Sequence, residues 1–409
     1  MSTVGAAIQD LTTLFIDYRP GFVNLLNDRV LARKLAVGKD YKWEGDYVLK
    51  KLQISRHTGL TMGEDGMALP PAGIPTMIDS KAYRRFFAAK VQVTDGALNT
   101  ATSDKNAAKS TAKLLLSDIA TAAQKFQNFM LTRDGTGTVA NVHDFSGTTL
   151  TVDDARGLWR NQWYTVRNSS DAIQGTFQVT RVTLAPTAGR ATVTVTGMPS
   201  SYIKATGDYV TWGKDYWEVY NTAYTGLDAL IANTGTLQGI STTNYPEWQS
   251  LVYTTTSGTQ AQSTRLFREM LAGIFQLGGA EKVSLFNLTS VWDMIQFEEL
   301  WEGEVRITPQ AKVAGIVAPM FHSQFGNVMP YTDADAPYGT MFFVDRREIT
   351  RAVQKDLDWR KNEGGGILTK SDTHQVWHGD MSECAEFMID NRRRCGKIEN
   401  LTNSIKVMH

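Results

Sequence analysis

The chain has 409 residues, and its 42 lysines and arginines balance its 42 aspartates and glutamates, so the formal net charge is zero. A chain of this length can bury a large core and is expected to form two or three subdomains. A zero net charge argues against a dedicated nucleic-acid-binding protein, which would carry an excess of basic residues. No apolar run reaches the roughly 18 residues of a membrane span, and we expect no secretory signal. Cys384 and Cys395 are the only cysteines, which indicates a reducing cytoplasm rather than a disulfide framework.

The first forty residues have one apolar face, with Leu11, Leu14 and Phe15 in its first half and Phe22 and Leu26 in its second. A Pro-Gly pair at positions 20–21 interrupts the pattern. This pattern predicts two short helices that dock on another part of the fold.

An extended arm is predicted next. Two strand-like segments, residues 47–57 and 83–94, flank a tip rich in glycine, proline and methionine, GLTMGEDGMALPPAGIPTM. Apolar and basic side chains alternate only in part, which is typical of a two-stranded ribbon with no sheet behind it. Because isolated hairpins are only marginally stable in water, we expect this arm either to be held by neighbouring molecules or to be mobile.

A long helix is predicted over residues 103–133. Ser103 or Asp104 is a suitable N-cap, and the RDGTG sequence that follows the helix supplies a C-terminal arginine and glycine. About thirty residues would give a rod of about 45 Å. One stripe of small and apolar residues and one cationic row run along it: Ala108, Ala112, Leu115, Ile119, Ala122, Phe126 and Phe129 in the first, Lys105, Lys109 and Lys113 in the second.

The composition changes after the helix. Residues 139–220 are rich in Thr, Val, Gly and aromatic residues, with turn signals every eight to twelve residues, which predicts a small antiparallel β-barrel or sandwich. Such a barrel could bind an oligosaccharide or a single strand of nucleic acid. Packing inside the barrel or at its rim is the favoured role for its tryptophans, Trp159, Trp163, Trp212 and Trp217.

From residue 226 onward the pattern is α+β. Helices are predicted at 264–277 and 290–300, and strands at 282–286, 313–317, 325–330 and 340–344.

Motifs of known catalytic sites are scarce: the sequence contains no GxSxG elbow, P-loop, dinucleotide fingerprint or HExxH. His374 and His378 would share a face if they lay on a helix, and could then hold zinc in a hydrolase. Gly379 and the alternation around Val376 favour a strand or turn instead, so no metal or cofactor is expected. Four glutamates beside Trp301 are interpreted as a solvated or interface surface rather than a general-acid pair: Glu298, Glu299, Glu302 and Glu304.

The order of these parts resembles the tailed-bacteriophage major capsid protein, with its HK97-type fold. DYVLKKLQISRHTG and AYRRFFAAKVQVTDGAL look like the two strands of that family's extended loop, and KNAAKSTAKLLLSDIATAAQKFQNFMLTRDGTG looks like its spine helix. LFREMLAGIFQLGGAEKVSLFNLTSVWDMI is similar to the helix-strand-helix of the axial domain, and MIDNRRRCGKIENL to the end of the peripheral domain.

The resemblance implies an α+β fold in six parts. They are an N-terminal arm (1–44), an extended loop (45–98), a spine helix of the peripheral domain (99–138), an inserted small antiparallel β-domain (139–222), an axial domain (223–345) and the rest of the peripheral domain (346–409). It also implies a non-enzymatic shell protein that forms pentamers and hexamers of an icosahedral virion capsid, assembled in the bacterial cytoplasm around dsDNA that it contacts non-specifically. Implied partners are further copies of the chain, a separate scaffolding protein, a portal and, in some members, a decoration protein, with no membrane contact.

The arm supplies the candidate contacts between subunits. These are five basic residues and two aromatic residues: Lys50, Lys51, Arg56, Arg84, Arg85, Phe86 and Phe87. Three alternatives remain open from the sequence: an encapsulin-type compartment shell, a phage tail or baseplate protein, and a zinc hydrolase that uses His374 and His378.

Overall fold

The structure is a computed structural model. It describes residues 37–39, 41–63, 65, 67–68, 70–94, 105–184, 190–254, 260–279, 283–302, 311–313, 316–318, 321–361, 367–371 and 374–402, with the side chains of the long helix from Asp118 onward. The predicted docking helices, the helix N-cap and the cationic row of the long helix lie outside this description, and so does Glu304.

The largest unit is a sheet that we call the body sheet. Its strand order is β1 (Val37–Lys39), β21 (Ile349–Trp359), β23 (Val376–Ile389) and β22 (Leu368–Lys370), and β5 (Arg85–Thr94) also pairs with β23. The β5–β23 pairing is antiparallel and runs from Arg85 opposite Ala385 to Thr94 opposite Val376. The second predicted strand of the arm is therefore a strand of the body sheet.

The long helix, α1, spans Lys105–Leu131 and packs on β5. Its prediction is confirmed in place and type. Towards its C-terminal end the helix is buried on all sides, because Gln127 and Asn128 are buried along with Phe129 and Met130. Burial of two amides was not expected from the apolar stripe, and these amides become the inner part of a polar network described below.

The β-rich middle forms a closed barrel. The order around it is β10 (Ala191–Thr196), β7 (Thr149–Val152), β6 (Thr138–Ser146), β11 (Tyr209–Trp212), β8 (Trp163–Arg167) and β9 (Ile173–Leu184). Alternate residues such as Val193 and Val195 point inward and are fully buried, as period-two strands require. Tyr164 and Phe177 stack inside it with ring centroids 5.7 Å apart. Closure leaves the barrel no exposed strand edge.

A second sheet, which we call the mixed sheet, follows the barrel. Its order is β14 (Leu251–Tyr253), β24 (Gly396–Ile398), β20 (Met341–Val344), β15 (Val283–Thr289), β19 (Gly326–Thr332) and β18 (Phe321–Ser323). Two helices pack against it, α3 (Thr264–Gly278) and α4 (Val291–Glu302), whereas α2 (Leu227–Leu230) is a single turn. Ser263 caps α3, and Gly279 ends it in the left-handed conformation. The predicted strand at 313–317 is instead a hairpin of β16 (Ala311–Val313) and β17 (Ile316–Ala318).

The arm is a three-stranded sheet of β2 (Trp43–Glu44), β3 (Tyr47–Gln53) and β4 (Met77–Tyr83). The predicted return strand of the arm, residues 83–94, is wrong: the strand that pairs with β3 is β4. Its pattern, MIDSKAY, places small residues on the buried face, and small residues give too weak an apolar signal to mark a strand. The mixture of strands and helices confirms the predicted α+β class.

Candidate assembly site

The base of the arm is attached to the body of the protein. Alternate residues of β3 and β4 face inward, and Val48 and Ala82 pack in one buried cluster with Ala352 and Met388 of the body sheet. Further along the arm, Leu52 and other partly buried side chains pack against the main core. The predicted free ribbon with nothing behind it is therefore wrong for residues 47–53 and 77–83.

A small hairpin also binds the base of the arm. β12 (Thr236–Leu237) and β13 (Ile240–Ser241) are joined by Gln238 and Gly239, which both have positive φ, at 53° and 78°. Two such residues form the tight turn that suits a two-residue hairpin. The Lys81 amide donates to the Gln238 carbonyl at 2.8 Å, and the Ser80 hydroxyl donates to Gln238 Oε1 at 2.6 Å.

The tip of the arm, residues 54–76, has the opposite character. Large apolar side chains stand in solvent: Leu60 is 81% exposed, Met62 100% and Ile74 82%. Its backbone hydrogen bonds among the described residues join the tip only to itself, as when Ile54 and Ser55 donate to the Thr76 carbonyl. The tip therefore carries an apolar surface that its own subunit leaves uncovered.

The two halves of the tip cross closely at a pair of glycines. A Cβ added to Gly73 would lie 2.5 Å from the Gly59 nitrogen, a distance that no real side chain tolerates. Glycine is therefore required where the backbones touch. The tip beyond this crossing, residues 60–72, is a loop closed at its neck.

The seven predicted contact residues divide into two groups. Those of the first group have partners in their own chain. Lys50 Nζ lies 2.5 Å from Asp390, and Arg84 lies 2.5 Å from Asp46 and 4.8 Å from the Phe86 ring. Arg85 is partnered by Glu386, and the Phe87 ring lies 5.8 Å from that of Phe126.

The second group faces solvent. Lys51 lies on the outer face of β3, Arg56 lies in the tip, and the Phe86 side chain is 65% exposed. We retain these three as the candidates for contact between subunits.

Arg85 and Glu386 connect β5 of the body sheet to the segment that leaves the barrel. Glu386 is buried, and its carboxylate accepts from the Thr225 amide at 2.9 Å and from the Phe387 amide at 2.8 Å. Arg85 Nε lies 3.4 Å from it, and another Arg85 nitrogen donates to the Asn221 carbonyl. Burial raises the pKa of Glu386 to about 7, although the amides and Arg85 favour the ionised form. This carboxyl therefore titrates near neutrality at the junction of β5 and the segment that leaves the barrel.

A buried polar cluster, which we call the hub, joins α1, the barrel and the mixed sheet. Asp154 follows β7 and binds two guanidinium groups, that of Arg133 at 2.5 Å and that of Arg156 at 2.7 Å. Arg156 also donates to the carbonyls of Ala334 and Ala336, at 2.7 and 2.8 Å. Burial alone would raise the pKa of Asp154, but the two arginines outweigh it and hold that pKa below its usual range.

The second half of the hub lies around Asn128. Its amide donates to Asp335 at 2.7 Å and to Asp333 at 3.2 Å, and Lys125 Nζ lies 2.8 Å from Asp335. The Thr132 hydroxyl donates to the Asp335 carbonyl at 3.0 Å. Both aspartates follow β19, so the last turns of α1 are tied to the mixed sheet. The sequence analysis did not identify the hub. The DADA run at 333–336 was a local signal for it, whereas the burial of the two amides is visible only in the structure.

Glu383 links α1 to the body sheet in the same way. Its buried carboxylate accepts from Gln127 of α1 and from Arg351 of β21. Polar side chains from three different elements therefore fix the angle of the long helix.

An apolar groove of about 480 Å³ lies between β5, α1 and the barrel. Its aromatic walls come from Phe86, Phe126, Trp159, Trp212 and Trp217. The Trp212 ring holds this wall together, with Phe126 at 4.7 Å and Trp159 at 4.9 Å between ring centroids. The prediction that the barrel tryptophans belong to its core or rim is correct for these residues, which are partly buried.

The histidine pair does not have the geometry that the zinc alternative needs. His378 lies in β23, between Gln92 of β5 and Thr369 of β22, and His374 lies in a bend before that strand. The two therefore do not share a helix face. In the part of the chain that the structure describes, no three His, Cys, Asp or Glu side chains are grouped as metal ligands would be. Burial and Lys90 lower the pKa of His378.

The described helices include none with the length and apolar character needed to span a bilayer.

No protein-family model matches the sequence, and no curated protein matches it either. Solved structures do match. The capsid asymmetric unit of cyanophage A-1(L) aligns over 93% of this chain and 98% of its own, with 13% identity and a TM-score of 0.52. The capsid of an empty GTA particle aligns over 93% of this chain and 100% of its own, with 10% identity and a TM-score of 0.49.

The SrpI encapsulin of Synechococcus elongatus covers 99% of both chains, with 9% identity and a TM-score of 0.48. At 13% identity, the likeness to the cyanophage chain concerns the fold. The chain has the HK97-type capsid fold that the order of its parts predicted.

Proposed function

We propose that this chain is the shell-forming subunit of a tailed-phage capsid. The observation that carries the proposal is the arm: its base is built into the body, whereas its tip presents Leu60, Met62 and Ile74 to solvent. Several large apolar side chains left in solvent within one short segment mark a candidate site of association. The fold shared with a capsid chain supplies the kind of association, a closed shell of many copies.

The proposed mechanism is mechanical and includes no catalysis. The body sheet, hub and barrel form a subunit of fixed shape, and the arm reaches a neighbouring copy. Lys51, Arg56 and Phe86 are the proposed contact residues on the exposed surface. Each exposed ion pair contributes only about 0–1 kcal/mol, so stability comes from repetition over many interfaces. Pentamers and hexamers would form the icosahedral shell in the bacterial cytoplasm.

The proposed contents and partners follow from the same role. Packaged dsDNA would touch the inner wall non-specifically, which suits a chain of zero net charge because a strongly basic wall would grip the DNA. A separate scaffolding protein, a portal and a decoration protein are proposed partners. The six parts predicted from the sequence remain part of the proposal, except that residues 85–94 belong to the body sheet and not to the extended loop.

The test is assembly of the purified chain with and without its tip. Gly59 and Gly73 already touch, so joining them by deletion of residues 60–72 leaves the neck of the arm intact. We expect shells or capsomers from the intact chain by negative-stain microscopy, with its scaffolding protein present where required. The deletion variant should keep the same melting temperature and circular dichroism but stay monomeric.

Two outcomes would contradict the proposal. One is a folded intact chain that remains monomeric under every assembly condition. The other is normal shell formation by the deletion variant, which would remove the arm from the mechanism. Shells that contain a protein cargo and no DNA when purified from cells would instead favour the encapsulin-type alternative.

A further inference from the structure

The apolar groove lies along one edge of β5. Residues 85–90 of that strand all line it, one after another. Successive side chains of a strand point to opposite faces of the sheet, so a groove on one face would meet only every second residue. Contact with a run of successive residues therefore places the groove along the edge of the strand.

No described strand pairs with that edge of β5. The strand pairs with β23 along its whole length, from Arg85 to Thr94, and with no other strand among those the structure describes. A strand at the edge of a sheet presents alternate N–H and C=O groups away from its neighbour, and these groups are a template for one more strand. Extended peptides bind many proteins by adding a strand at such an edge.

The walls of the groove suit apolar side chains. Trp159, Trp212 and Trp217 come from the barrel side, and Phe126 comes from α1. These four residues are only partly buried, so their rings keep surface that another apolar group can cover. Every second side chain of an added strand would face these rings.

The charge of the groove suits a negative partner. Arg85 and Lys90 are its charged residues, and no acidic side chain is among the described residues that line it. Arg85 is partnered by Glu386, whereas Lys90 is exposed and makes no ion pair with a described residue. A carboxylate of the partner would therefore have Lys90 as its counter-charge.

We propose that the groove binds an extended segment of a separate protein, which adds a strand to the free edge of β5. The segment carries apolar residues at alternate positions, which face Phe126 and the tryptophans, and an acidic residue beside Lys90. Backbone pairing supplies the affinity, and the alternate side chains supply the specificity. The inference does not depend on the shell function, because one chain supplies all the lining residues of the groove.

A displayed library of short random peptides tests the chemistry of the partner. Selection against the purified intact chain should enrich peptides with alternating apolar residues and an aspartate or glutamate. Lys90→Glu should turn the preference toward lysine and arginine. Lys51→Glu is the matched control, because Lys51 is an exposed arm lysine outside the groove, and it should leave the acidic preference unchanged.

The most enriched peptide then serves as the probe for strand addition. Its affinity for the intact chain is measured by fluorescence anisotropy. Methylation of alternate backbone nitrogens should weaken binding by about tenfold or more in one of the two registers and leave it unchanged in the other, since only one register faces β5. Bound peptide should also slow hydrogen exchange of the amides in residues 85–90.

A bulky side chain in the groove tests the location. Ala88 is exposed and lines the groove, and tryptophan is well tolerated in strands, so Ala88→Trp should fill the groove and keep β5 intact. We expect the probe peptide to bind this variant about tenfold more weakly or worse. Ala172→Trp is the control, because Ala172 is an exposed alanine outside the groove, and its affinity for the probe should equal that of the parent chain.

Three results would overturn the inference. One is a selection that enriches no alternating acidic peptides. Another is a probe whose binding is weakened neither by methylation in either register nor by Ala88→Trp, which would place it elsewhere on the surface. The third is an enriched consensus that matches a segment of this chain, because the groove would then receive another copy instead of a separate protein. Shell formation by the intact chain is measured separately and tests the proposed function alone.

Discussion

The tip of the arm and the hub at the end of α1 reverse the usual distribution of polarity. In the tip, the side chains of Leu60, Met62 and Ile74 are largely exposed to solvent. In the hub, Asp154, Asp333 and Asp335 are buried and bound to groups from three elements. The apolar surface is outside and the charges are inside.

The contrast shows how one subunit can be rigid in itself and incomplete alone. A buried charge is stable only when its partners stand in place, so the hub fixes the relative positions of helix, barrel and mixed sheet. An exposed apolar side chain gains free energy only when another molecule covers it. Four substitutions test this contrast, because interior changes should act on folding and exterior ones on assembly.

The largest effect is expected from Asp154→Ala. This change leaves Arg133 and Arg156 buried without their shared carboxylate, and the loss of one partner of a buried ion pair costs about 3–5 kcal/mol. The measurement is the free energy of unfolding in urea. Arg265→Ala is the control, since it removes an exposed pair with Glu269 and should change the free energy of unfolding far less. Equal losses in the two variants would contradict the role of the hub.

Next in size is the pH dependence of Glu386. Its pKa is about 7 in the folded chain and 4.5 in a free side chain, so the folded state binds the proton more tightly. Its contribution to stability is therefore complete below pH 4.5 and is lost as pH rises through about 7. At roughly 1.4 kcal/mol for each pH unit, that loss is on the order of 3 kcal/mol.

Glu386→Gln should remove this slope, because the amide oxygen still accepts from Thr225 and cannot ionise. The quantity to compare is the difference in urea unfolding free energy between the two proteins from pH 4.5 to 8. Taking the difference cancels the contributions of Asp293 and Glu348, whose pKa values burial also raises. A difference that does not change with pH would show that Glu386 titrates normally.

A smaller effect is expected from Ser80→Ala at the base of the arm. The change removes the donor to Gln238 Oε1 and should cost about 1–3 kcal/mol locally. Hydrogen exchange of the Lys81 amide, which donates to the Gln238 carbonyl, should accelerate accordingly. Ser55→Ala, which removes an exposed hydrogen bond to the Thr76 amide, should leave that exchange rate unchanged. Unaltered Lys81 exchange in Ser80→Ala would mean that the hairpin does not hold the arm.

The smallest effect on stability is expected from Ile74→Ser in the tip. Its side chain is already in water, so the free energy of unfolding should change by less than about 0.5 kcal/mol. Assembly should nevertheless weaken, measured as the concentration at which capsomers appear in sedimentation. A variant that unfolds easily but assembles normally would reverse the proposed division between tip and body.

The long helix and the barrel could be read from the sequence because their signals are local. The apolar stripe through Ile119, Ala122 and Phe126 has the helical period, and segments such as RATVTVTG alternate with a period of two. The order of the parts, an arm, a long helix, a β-rich insertion and an α+β region, was enough to predict the fold. The exposed tip was also correctly marked by its glycines and prolines.

Strand partners could not be read in the same way. Residues 83–94 look like the return strand of the arm, yet residues 85–94 pair with β23, which lies nearly three hundred residues further along the chain. That choice depends on which edges are free once the body sheet forms, and sequence periodicity carries no such information. The same reason explains why Lys50 and Arg85, taken as contacts between subunits, pair with Asp390 and Glu386.

The sequence by itself determined the long helix, the β-rich insertion and the order of the main parts, because their periodicity is local. It also determined that charges balance overall, since composition needs no fold. Only the tertiary structure decided which polar side chains meet in the interior. Arg156 binds Asp154, two residues before it, but Asn128 donates to Asp333 across 205 positions. Burial turns such distant meetings into fixed contacts, since an unpaired charge in the interior is too costly to persist. The tip shows the opposite case. Its apolar residues can be read from the sequence, but only the structure shows that its own subunit leaves them exposed.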